Sequence, residues 1–89
     1  MSRTLIKGSE AASPTTKGAS STFGNATVVR LINTDTSAHL VYVCESTSGD
    51  TLGSFTMPAG SVEFLEKTST HTVYAANAAV KGAAAGFTD

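Results

Sequence analysis

Apolar and polar positions change their rhythm near Gly24-Asn25. Beyond that point the period is two, the spacing of a strand whose alternate side chains face opposite ways. Ala26-Thr-Val-Val-Arg-Leu-Ile-Asn33 is rich in β-branched residues and stops at the turn formers Asn33-Thr-Asp-Thr-Ser37. Ala38-His-Leu-Val-Tyr-Val-Cys-Glu45 is a second strand, with the nearly continuous apolar run of one covered on both faces. Ser46-Thr-Ser-Gly-Asp50 turns the chain into Thr51-Leu-Gly-Ser-Phe-Thr-Met57, where Gly53 is a candidate bulge. Pro58-Ala59-Gly60 predicts a turn, with Pro58 in its second position and Gly60 free to take a positive φ. Ser61-Val-Glu-Phe-Leu-Glu-Lys67 follows, expected to place Val62 and Phe64 inward and Glu63 outward. His71-Thr-Val-Tyr-Ala-Ala76 is a fifth strand.

The last stretch, residues 78–87, carries three alanines flanked by Gly82 and Gly86. Each glycine costs ~1 kcal/mol inside a helix, so a slim sixth strand is the better reading. Short strands at intervals of about ten residues predict an all-β fold: a small antiparallel β-sandwich or barrel of about six strands over residues 26–89.

Residues 1–25 read differently. Positions 8–22 contain no large apolar side chain, and so bury too little surface to offset the entropy of ordering them. An extended polar N-terminal arm is expected. Leu5, Ile6 and Phe23 bracket it as apolar anchors for a partner. Fully extended, 25 residues reach at most ~80 Å.

Composition narrows the function mainly by exclusion. Six basic residues against seven acidic ones give no field to steer nucleic acid or anionic lipid. Cys44 is the single cysteine, so no disulfide staples the chain internally. No apolar run approaches the ~18 residues that span a bilayer, and Met1–Lys7 lacks the apolar core of a signal peptide, so a soluble product made in a cytoplasm is expected. A domain this small has a thin margin of stability, which favours association with other subunits.

The chemistry on offer is sparse. His39, His71, Cys44 and the carboxylates show no metal-ligand spacing. No Gly-x-Ser-x-Gly elbow is present, and Glu63 and Glu66 fall on opposite faces of one strand, which separates them as an acid/base pair. Lys81-Gly82 fits no phosphate-loop pattern. Asn25-Ala26-Thr27 is a formal glycosylation sequon without a route to the machinery. Tyr42, Tyr74, Phe55 and Phe64 fit core and interface positions better than a ligand platform. No enzyme activity, cofactor or metal is expected.

Three segments carry a resemblance. Val29-Arg30-Leu31-Ile32-Asn33-Thr34-Asp35, Pro58-Ala59-Gly60-Ser61-Val62 leading into Leu65-Glu66-Lys67, and Thr70-His71-Thr72-Val73-Tyr74-Ala75 together resemble small virion structural proteins of marine and cyanobacterial tailed phages. The resemblance implies a non-enzymatic capsid decoration or cement protein on the virion surface. Its partners would be the major capsid protein or other virion subunits, and it would form a homo-oligomer, a trimer or dimer. Alternatives of the same compass are a tail, neck or head-fibre component, or a small carbohydrate- or receptor-binding β module.

Overall fold

A computed structural model describes the backbone of residues 3–88 and the side chains of residues 5–86. Met1, Ser2 and Asp89, at the ends of the expected arm and domain, lie outside the described residues. Eight strands form two antiparallel sheets: β1 (Arg3–Ile6), β2 (Ala11–Ala12), β3 (Val28–Asn33), β4 (His39–Cys44), β5 (Thr51–Met57), β6 (Val62–Glu66), β7 (Thr72–Ala75) and β8 (Val80–Thr88). The larger sheet runs β1-β8-β3-β6, with β2 also paired to β8; the smaller runs β5-β4-β7. The fold is a small all-β sandwich, and β3 to β8 are the six strands that the alternation predicts.

Its core is the alternate residues of both inner faces. Val29 and Leu31 of β3 meet Val41, Met57, Val73 and Ala75 of the smaller sheet, with Val80 of β8; all are fully buried. Phe23, Ala26, Phe55 and Leu65 pack around them. Burying a side chain of this size contributes about 1.5–3 kcal/mol. Leu52 is the extra residue of a bulge, because the β4–β5 register passes from Val43↔Gly53 to Cys44↔Thr51.

Two local expectations change. Ser61 N–H donates to Pro58 O (3.1 Å), so Pro58 opens the turn and Gly60, at φ 73°, is its third residue, the position that demands a positive φ in a type II turn. On β6 the faces are reversed. Leu65 opposes Val29 and Glu63 opposes Leu31, on the core side, whereas Val62 and Phe64 point outward. Both faces of β6 carry apolar residues, so alternation alone does not say which is inside. β6 is also an edge strand, where an inward-facing Glu63 still reaches solvent.

The described part of the arm is zipped onto its own domain. β1 pairs with β8 from Arg3↔Thr88 to Ile6↔Ala85, and β2 pairs Ala11↔Gly82 and Ala12↔Lys81. Pairing shifts by two residues between them, so Gly8–Glu10 bulge from one continuous edge strand. Lys7 N donates to Ala84 O and Ser13 N to Val80 O, both at 2.8 Å. The chain then crosses to the smaller sheet: Ala75 N donates to Pro14 O, a 3₁₀ turn spans Lys17–Ala19 with Thr16 as its cap, and Ser21 pairs with Val73. Among the described residues, 3–13 lie along the β8 edge and 14–21 run on to the smaller sheet.

Candidate functional site

Among the described residues, three exposed large apolar side chains, Ile6, Val62 and Phe64, share the outer face of the larger sheet. The register places Val28, Arg30 and Ile32 of β3 beside Val62, Phe64 and Glu66 of β6, and beside Lys81, Ala83 and Ala85 of β8. Ile6 extends the row from β1, opposite Ala85. Ile6 is 52% exposed and Val62 and Phe64 are 40% each, values high for large apolar side chains grouped on one sheet face. Arg30 lies 3.5 Å from Glu10, reaching across β8 above Ala83, which accounts for the burial of that alanine on an outer face. With Arg30 neutralised, Glu66 and Lys81 leave the face with no net charge.

A cavity of about 630 Å³ opens at the arm edge of the same sheet. Lys7, Gly8 and Ser9 of the bulge form one side, Phe23 to Thr27 another, and Ala84 and Ala85 of β8 also line it. Phe23, Gly24 and Asn25 take φ of 51°, 72° and 58°, three consecutive left-handed residues. Non-glycine residues there cost of order 1–3 kcal/mol each and persist only where the surroundings over-determine them. Here they do. Phe23 N donates to Ser21 Oγ (3.0 Å), Asn25 N to Thr22 Oγ1 (3.1 Å) and Ala26 N to Thr22 O (3.2 Å). Lys67 N donates to Thr27 O (2.9 Å) and Lys67 Nζ to Ala26 O (2.6 Å).

Lys67 is 7% exposed and pairs with no carboxylate among the described residues. Burial pushes its ammonium below the ordinary value of 10.5. A lysine whose pKa is depressed by folding binds its proton less well in the folded state, so stability rises as pH climbs from the folded value toward 10.5. Lys67→Met should destabilise the fold by about 1–2 kcal/mol at pH 7 by leaving Ala26 O without its donor. The gap to wild type should widen at pH 10. Urea unfolding at the two pH values checks both.

The histidines stand apart from each other in role. His39 Nε2 lies 2.7 Å from Asp35 Oδ2, and this hydrogen bond, followed by one from Thr36 N–H, holds the Asp35 carboxyl below its usual range. His71 N–H donates to Thr68 O in the turn before β7. Cys44 is buried with Sγ 3.6 Å from Thr51 Oγ1. Among the described residues no three His, Cys, Asp or Glu side chains gather as a metal site. Tyr42 and Tyr74 stack across β4 and β7 at 4.6 Å, on the outer face of the smaller sheet.

No protein-family model, curated protein or solved structure matches the chain.

Of the three expected anchors, the fold uses each differently. Leu5 sits on the core-facing side of β1, opposite Gly86, beyond the cover of the smaller sheet and 47% exposed. Ile6 joins the outer apolar face. Phe23 packs, partly buried, against the core and over Gly82, and also lines the cavity beside the arm. Sequence reasoning passed over Asn33 and Lys67, both buried. Parity held the signal: Val29, Leu31 and Asn33 alternate inward, as do Glu63, Leu65 and Lys67.

Proposed function

We propose that the chain is a non-enzymatic virion structural protein of the capsid decoration or cement kind, docking on the capsid lattice through the outer face of its larger sheet. The observation that supports this reading best is that face: Ile6, Val62 and Phe64 exposed, Val28 and Ile32 half-buried, and Ala83 and Ala85 forming a low floor. Its balanced charge suits another protein surface and not a polyanion. The arm's role shifts accordingly: β1 and β2 cover the β8 edge, which would otherwise invite indiscriminate strand pairing, and add Ile6 to the docking surface. Many copies, each held modestly, would stabilise a shell by multivalency.

Co-sedimentation of the purified chain with mature capsids of the phage that encodes it tests this. Wild type should pellet saturably. Val62→Asp and Phe64→Asp should each weaken binding by about tenfold or more, since a carboxylate buried in an apolar contact has no partner. Their circular dichroism should match wild type because both side chains are partly exposed. Wild type left in the supernatant overturns the decoration reading, and normal binding by both variants overturns the assigned face.

A further inference from the structure

The cavity at the arm edge has the chemistry of a ligand site, and its contents are one-sided. Among the described residues that line it, Lys7 alone is charged, with no Asp or Glu beside it. Among the described residues Lys7 Nζ has no ion-pair partner; its side chain lies over Gly86, where a Cβ would stand 2.9 Å from Cε and 3.1 Å from Nζ. The remaining polar groups are neutral: the hydroxyls of Ser9, Ser21 and Thr27 and the amide of Asn25. Apolar contact comes from Phe23 and from small side chains such as Ala11, Ala26 and Ala84.

We infer that this cavity binds a monosaccharide bearing one carboxylate, a hexuronate or sialic-acid type of sugar. One uncompensated ammonium matches one carboxylate. Among the described residues a phosphate dianion would find no second cation there, and a zwitterionic amino acid no acid for its ammonium. The hydroxyl and amide groups pair with sugar hydroxyls, while the alanine methyls and the Phe23 edge meet the C–H face of a pyranose. A volume near 630 Å³ falls within the range of small-molecule sites. The left-handed run at Phe23–Asn25, fixed by Ser21, Thr22 and Lys67, gives the site a pre-formed wall, so little ordering is needed on binding. The site does not depend on the docking role, and the isolated chain tests it.

The full chain, labelled with ¹⁵N, is titrated with D-glucuronate, N-acetylneuraminate, D-glucose and inorganic phosphate. At least one acidic sugar should bind saturably and shift the amide resonances of residues 7–9 and 23–27. D-glucose should bind at least about tenfold more weakly, and Lys7→Gln should remove that preference while Lys7→Arg largely keeps it. Thr27→Phe, which fills the mouth of the cavity from an exposed position, should abolish binding of both sugars. Linear, unsaturated shifts with both acidic sugars overturn the inference. So does equal affinity for glucose, tighter binding of phosphate, or a Lys7→Gln chain whose spectrum is native and whose preference is unchanged.

Discussion

Asn33→Asp should destabilise the domain by roughly 3–5 kcal/mol at neutral pH, the cost of a buried charge without a counter-ion. Asn33 is fully buried where the two sheets meet. Its Nδ2 donates to Ser37 O and Met57 O, both at 2.9 Å, and its Oδ1 accepts from Asp35 N at 3.0 Å. Its backbone donates to Ser61 O and accepts from Gly60 N, so one residue ties the β3–β4 turn, the end of β5 and the Pro58–Ser61 turn together. A carboxylate would turn an acceptor toward two carbonyl oxygens. The introduced acid would titrate above its unfolded value, so the folded state would take up a proton first. Stability would therefore be lost as pH rises from about 4 through that raised value, and the gap to wild type should shrink at pH 4. Asn33→Leu should cost about 2–3 kcal/mol through unpaired carbonyls, with no such pH dependence. A domain of this size has on the order of 4–13 kcal/mol in total, so the acid variant should be near its unfolding threshold. Urea unfolding at pH 7 and pH 4 measures all of this; an Asn33→Asp chain within 1 kcal/mol of wild type at pH 7 would refute the account.

The same residue shows what the sequence makes legible. The six body strands were readable because period-two apolar runs end at Asn, Gly, Pro and Ser clusters, and each cluster became a turn. Asn33 reads as a turn former and is one, yet its side chain also faces the core, which only its parity with Val29 and Leu31 reveals. The arm was less legible. Its lack of large apolar residues argued against ordering, but Lys7 N, Ser13 N, Ala75 N and the Ser21–Val73 pair hold it through backbone groups, which any sequence can supply. The alanines and glycines of β8, readable as a slim strand open to close approach, gave no sign that the neighbour would be the chain's own N-terminus. The cavity follows from that closure, so neither Lys7 nor the 23–27 wall could be placed together beforehand. The outer face of the larger sheet is least legible at β6, where apolar character alone points Val62 and Phe64 inward but the register turns them outward.

Gly82→Val should destabilise the domain by about 2–3 kcal/mol and loosen the arm, even though valine favours strands by up to about 1 kcal/mol over glycine. A Cβ at Gly82 would lie 2.8 Å from Phe23 Cε1 and 2.9 Å from both Phe23 Cζ and Leu31 Cδ2. Leu31 is locked in the core, so the ring of Phe23 must move. Phe23 sits in the left-handed run, and its displacement pulls on Ser21 and hence on the pairing with Val73 that ties the arm to the smaller sheet. The overpacking term exceeds the strand preference, which sets the sign. Removing the ring should relieve the clash: Gly82→Val in a Phe23→Ala background should cost at least about 1 kcal/mol less than in wild type, a coupling expected only for residues in contact. Amide exchange at Ser21 and Val73 should quicken in the single Gly82→Val variant more than at Val41 in the core. Additive costs, or unchanged exchange at Ser21, would show that Phe23 does not clamp the arm to β8.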